Sequence, residues 1–210
     1  MSDVTRRVPR TERGEKTREV LLAAAQEVFW KKGYVDARVA DIVEHAGMSH
    51  GSFYTYFDSK EAVLWALASD LDLAVYDSGR GTLEETGGDE VRAIELANRR
   101  YLEYYLANRK AMRLMEEVAA SNSKMNKARR NSRERIVERT VRSLKRMQAD
   151  GVCDPGLDAE LAAQALVSMV SHFTYYMVAT HKPVDIDAAA ATLTTLWARG
   201  IGIDIPWGKD

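Results

Sequence analysis

The chain has 210 residues, 46% apolar and 29% charged, enough for a sizeable core in one large domain or two small ones, without the Pro, Gly or Ser excess of a disordered protein. A net charge of −1 argues neither for nor against nucleic acid, and the lone Cys153 excludes an intramolecular disulfide or a multi-cysteine metal site. No apolar stretch follows Met1, and the most apolar run, 161–180, is interrupted by Gln164, His172 and hydroxyls, so neither a secretory signal nor a membrane span is expected; the expected location is cytoplasmic.

The charge is unevenly placed. Residues 1–18 hold six basic and three acidic side chains (+3), 108–147 thirteen and four (+9), and 148–210 three and eight (−5). Residues 1–13 lack periodicity and contain Pro9 and four arginines, which reads as a flexible basic arm. A minor-groove or phosphate contact and a plain solvated tail are equally open for it.

A first helix is predicted over 15–32, with Val20, Leu21, Ala24, Ala25, Val28 and Phe29 on its buried face and Gly33 as its C-cap. A second spans about 38–45, with Asp36 as its cap and Val39, Ile42, Val43 and Ala46 at helical spacing. Gly47 supplies a tight turn, Ser49 an N-cap, and Phe53 with Phe57 the inward stripe of a short third helix. That stripe leaves His50, Ser52, Tyr54, Thr55 and Tyr56 directed elsewhere, an exposed set poor in ordinary Lys and Glu. Two helices around a glycine turn occur in many helical proteins; one reading that explains this surface is the second helix of a helix-turn-helix, lying in the major groove of double-stranded DNA.

Asp58 and Glu61 form a capping-box pattern opening a fourth helix over about 59–77. Residues 78–88 read as a Gly-rich loop, and helices follow at about 89–107, 109–120, 123–149, 158–180 and 186–200. The fold class is therefore all-α, about nine helices, with an N-terminal helix-turn-helix domain expected at 14–64 and the remaining helices at 65–210 as a second domain. The eighth predicted helix is apolar on several sides and the ninth is rich in small residues, so these two are expected to pair with their symmetry mates in a homodimer.

Trp65, Tyr101, Tyr105, Met112, Met115, Phe173, Tyr176 and Met177 are the candidate lining of a small-molecule pocket, although such stripes more often simply fill a helical core. They suit a largely apolar small molecule with a polar handle. The +9 stretch reads first as a solvated helix face, with the phosphates of an acyl-coenzyme A or similar lipid-like compound as the alternative. No cofactor is expected: His45, His50, His172 and His181 lack metal-ligand spacing, and no phosphate loop or nucleophile motif is present. His172 beside Tyr175 and Tyr176 reads as a core histidine. An enzyme is thus disfavoured, while a chromosome- or division-associated DNA-binding protein without an effector is an open alternative.

The N-terminal residues Ala23-Ala24-Ala25, Phe29, Gly33-Tyr34, Val39, Asp41-Ile42, Ala46-Gly47-Met48-Ser49, Gly51, Phe53-Tyr54, Tyr56-Phe57 and Lys60-Glu61 resemble those of the tetracycline-repressor (TetR) family of bacterial regulators. The resemblance covers about residues 15–64 and implies a three-helix DNA-binding unit, a connecting fourth helix, and a helical effector domain that dimerises through its last two long helices. It implies groove or backbone contacts for Ser49, His50, Gly51, Ser52 and Thr55, phosphate contacts for Tyr54 and Tyr56, and a backbone contact for Lys60. Two positions depart from the family pattern. Ala37-Arg38 stands where Thr or Ser is frequent, so Asp36 is expected to cap the second helix and Arg38 to meet phosphate. His50 stands where Lys is frequent, which implies a weaker, pH-dependent contact. A palindromic operator, and a repressor released by its effector, complete the expectation; repression or activation depends on where the operator lies relative to the promoter.

Overall fold

The computed structural model describes residues 11–180 and 183–205, and every regular element among them is helical. In order these are α1 (Glu12–Asp36), α2 (Val39–Ala46), α3 (His50–Tyr56), α4 (Lys60–Asp77), α5 (Thr82–Glu85), α6 (Glu90–Ala107), α7 (Arg109–Ser121), α8 (Ser123–Ala149), α9 (Ala159–Thr180) and α10 (Ile186–Gly200). The predicted eighth and ninth helices are thus α9 and α10. The additional element, α5, lies in the segment expected to be a loop: Gly81 takes φ 69° ahead of it and a single turn follows. A four-residue helix carries no periodicity for a sequence reading to find.

The chain divides into two compact units, one of Met1–Asp72 and Lys110–Asn126, the other of Leu73–Arg109 and Lys127–Asp210. The first is larger than the expected DNA-binding domain, since it takes in α4 as far as Asp72 and most of α7. Most of the expected basic arm lies outside the described residues; its last two residues, 12 and 13, already belong to α1, which Thr11 caps by accepting a hydrogen bond from the Gly14 amide at 3.2 Å.

In the first unit the buried side chains include Leu21, Leu22, Ala25, Val28 and Phe29 of α1, Ile42 and Val43 of α2, Phe53 and Phe57, and Val63 and Leu64 of α4. Val20, expected on the buried face, is 45% exposed, and Leu22 takes its place in the core. In the second unit, Leu102, Val170, Ala189, Ala190 and Leu193 from α6, α9 and α10 form one apolar cluster. A second gathers Leu144, Met147, Cys153, Ala163, Leu166 and Ile201. Between α6 and α10 the buried Asn98 amide donates to the Thr194 hydroxyl at 3.2 Å, a polar pair that fixes helix register because a slip would strand both groups. Arg139 of α8 donates to the Tyr76 carbonyl in the last turn of α4 and lies 4.9 Å from the Tyr76 ring centroid. Gly79 makes room for it: a Cβ there would stand 3.0 Å from the guanidinium carbon.

Candidate nucleic-acid interface

The reader is built from the turn outward. α1 is interrupted at Gly33, whose φ of 76° and ψ of 160° are open to glycine at little cost, and the chain then leads through Tyr34 to the buried Ala37. Tyr34 packs edge-on against Phe29 with ring centroids 5.4 Å apart, and its phenol is pushed up from its ordinary pKa, first by burial and then by the Glu61 carboxylate. α2 ends at Gly47 in the left-handed conformation (φ 62°, ψ 35°). The Gly47 amide donates to the Glu44 carbonyl at 3.1 Å and the Met48 amide to the Val43 carbonyl at 2.9 Å, which closes the helix end and starts the turn.

Ser49 then caps α3 as its position predicts, its hydroxyl accepting from the Ser52 amide at 3.1 Å. Phe53 is fully buried and Phe57 nearly so, their centroids 5.9 Å apart. Arg18 covers the other side of Phe57, 5.4 Å from its centroid, and helps hold α3 against α1. With that stripe anchored, Gly51, Tyr54 and Thr55 stand exposed at i, i+3 and i+4, one continuous face, with the exposed Ser49 and His50 at its amino end. Ser52 and Tyr56 are half-buried at its flanks. A Cβ on Gly51 would meet nothing nearer than 3.8 Å, so packing within the chain does not require glycine there. The Thr55 hydroxyl donates to the Gly51 carbonyl at 3.1 Å, which leaves its oxygen, rather than its proton, to an outside group.

Arg38 is exposed at the amino end of α2, but Asp36 does not cap that helix; it is the last residue of α1. Asp41 does the work from inside, accepting from the Arg38 amide at 2.9 Å while Lys32 donates to its other oxygen at 2.7 Å. The Lys32 hydrogen bond, then the Arg38 amide, hold the Asp41 carboxyl below the ordinary range. Its acidic residue type three places after the cap was the available signal. At the start of α4 the cap is likewise one residue later than expected: Ser59, not Asp58, accepts from the Ala62 amide, at 3.1 Å.

Lys60, expected to contact the DNA backbone, is engaged within the chain. Its ammonium donates to the carbonyls of Tyr34 at 2.7 Å, Val35 at 3.0 Å and Ala37 at 2.8 Å, so it faces protein backbone rather than the solvent side of the reader.

The candidate effector contacts are divided between the units. Trp65 (half-buried), Met112 and Met115 (both buried) belong to the first; Tyr105 (buried), Tyr101, Phe173 and Met177 (all half-buried) belong to the second. Tyr176 is 47% exposed on α9 and is no interior residue. The expectation of a core histidine at His172 also fails: it is exposed, its ring 6.0 Å from that of Tyr175. The reason is the same for both. They lie on the outer side of α9, opposite Val170, Thr174 and Val178, which face the core. Leu161, 64% exposed, continues this outer side toward the helix start.

Comparison with known proteins fits this geometry. Residues 21–67, from α1 into α4, match the profile described as bacterial regulatory proteins, tetR family. That stretch carries the N-terminal domain of the family. An HTH-type transcriptional regulator of Bacillus subtilis, YdgC, is 29% identical over 201 residues, covering 94% of this chain and 97% of its own. Among solved structures, the fatty acid degradation regulator FadR of Bacillus halodurans shares the fold with a TM-score of 0.76 at 21% identity, covering 90% of this chain and 97% of the other. A SmeT–triclosan complex does so with a TM-score of 0.73 at 21% identity, covering 91% and 95%. Residues 21–67 are thus similar to the helix-turn-helix domain of bacterial transcriptional regulators. No helix among the described residues is long and apolar enough to cross a membrane.

Proposed function

We propose that the protein is a dimeric, effector-responsive repressor that binds a roughly palindromic operator. The observation that carries the reading is the α3 face: a Ser49-capped helix anchored by Phe53 and Phe57 that presents His50, Gly51, Tyr54 and Thr55 outward. Gly51 permits close approach of a DNA backbone, the helix N-terminus favours phosphate, and His50, Ser52 and Thr55 supply hydrogen-bonding groups for base edges. Tyr54, Tyr56 and Arg38 are proposed to meet phosphates.

Dimerisation is assigned to α9 and α10. Leu161, Tyr175 and Tyr176 on α9 and Leu196 on α10 are 64%, 41%, 47% and 54% exposed in the single chain, apolar area that a twofold partner would cover. The effector is proposed to be largely apolar with a polar handle, for which Tyr101, Tyr105, Phe173 and Met177 are the candidate contacts in the second unit. The names of two fold relatives, one a fatty acid degradation regulator and one crystallised with triclosan, support that class of molecule. An effector that favours a displaced α4 would lower operator affinity, and DNA would reciprocally weaken effector binding. Footprinting of genomic DNA with the purified protein tests the DNA reading; titration with a long-chain fatty acid and its coenzyme A thioester tests the effector class. Operator affinity that no such ligand changes would favour a regulator without an effector.

A further inference from the structure

Lys60 is the first residue of α4, yet its ammonium is turned onto the main chain that joins α1 to α2, where it is half-buried. Nζ donates to the carbonyls of Tyr34 (2.7 Å), Val35 (3.0 Å) and Ala37 (2.8 Å) and lies 4.7 Å from the Tyr34 ring centroid. An ammonium has three hydrogens and no acceptor, so these three carbonyls use all of its donors. The carbonyls need such a partner, because helical bonding is broken at Gly33 and the last carbonyls of a helix have no acceptor role within it. A phosphate contact by Lys60 would require Nζ to leave at least one of them.

We propose that Lys60 is a positioning residue, not a phosphate contact: it pins residues 34–37 to the first turn of α4 and so sets where Arg38, α2 and α3 are presented. The proposal rests on the DNA-binding reading of the first unit. It also names what α4 acts on. Displacement of α4 at its first residue either drags the α1–α2 connection with it or breaks three hydrogen bonds. The adjacent backbone is already tied from the other side, since the Arg38 amide is held by Asp41 and Asp41 by Lys32. The α1–α2 connection is therefore short, doubly anchored and able to pass a movement of α4 directly to α2.

The test compares wild type, Lys60→Met and Lys60→Arg on a duplex selected from random-sequence DNA by the wild-type protein. Lys60→Met is expected to weaken binding at least about tenfold at every salt concentration, and Lys60→Arg to fail to restore it, because a planar guanidinium cannot converge on three carbonyls as an ammonium does. A displaced Arg38 would itself alter the salt dependence, so that is read in an Arg38→Gln background. There Lys60→Met should leave the slope of log affinity against log salt unchanged. A slope shallower by about 0.9 per half-site, the signature of one lost phosphate contact, or full rescue by Lys60→Arg, would overturn the proposal.

Reductive methylation of the wild-type protein gives a readout that needs no variant to fold. Lys60 should be protected in the free protein as well as on DNA; reactivity when free, with protection only on DNA, would overturn the assignment. If the wild type selects no duplex, the DNA-binding reading fails, while protection of Lys60 in the free protein still decides its role as a staple.

Discussion

Gly51 stands in the first turn of α3 although nothing in the chain asks for it: it is exposed, and a Cβ would have no neighbour nearer than 3.8 Å. Alanine is the better helix former by about 0.5–1 kcal/mol in a helix interior, so Gly51→Ala should leave thermal stability unchanged or slightly raised. If the methyl instead meets a DNA backbone, operator affinity falls at least about tenfold, and the two measurements separate. Ser49→Ala should behave differently, losing about 1 kcal/mol of stability with the Ser52 amide left uncapped. Asp41 supplies a pH-dependent counterpart. Its folded-state pKa is depressed, so its contribution is present above the unfolded carboxylate value of about 3.9 and lost as pH falls below it. Asp41→Asn should therefore lower the melting temperature at neutral pH, with the gap to wild type closing below about pH 4. Of these residues, Ser49 and Gly47 were legible because cap and turn chemistry is local. Lys60 was not, because its acceptors lie 23 to 26 positions earlier and only the folded chain brings them to it.

At the scale of elements, the helices were legible wherever apolar spacing ran for several turns, as in α1, α6 and α9. Their edges moved by a residue or more where two cap residues compete: Ser59 displaces Asp58 at α4, and Arg38 with Asp41 displaces Asp36 at α2. What spacing did not give was direction. α9 is apolar on several sides, and a sequence cannot tell which side meets its own chain; Tyr176 and His172 were assigned inward and point outward. The ends of α2 and α4 carry their own tests. Gly47 is held at φ 62°, where a Cβ is strained, so Gly47→Ala should cost about 1–2 kcal/mol, measured by chemical denaturation. Arg139 holds the Tyr76 carbonyl in a partly desolvated site, and burial pulls its guanidinium down from its ordinary pKa. Arg139→Met removes a charge-assisted hydrogen bond at the end of α4 and should cost roughly 2 kcal/mol.

For the whole molecule, the proposed twofold arrangement would turn a seven-residue helix into a selective reader. One α3 reaches only a few base pairs, and two related by a dyad read half-sites about 34–36 Å apart. A glutamate at Leu161 or Leu196, exposed at 64% and 54%, should give a monomer with unchanged helical content and markedly weaker operator binding, read by sedimentation and circular dichroism together. The most direct measurement is a footprint of the intact protein on genomic DNA. A dimeric reader should protect a twofold-symmetric sequence whose two halves are centred about one helical turn, or a small multiple of it, apart. Protection without sequence selectivity, or of a single unrepeated half-site, would contradict it.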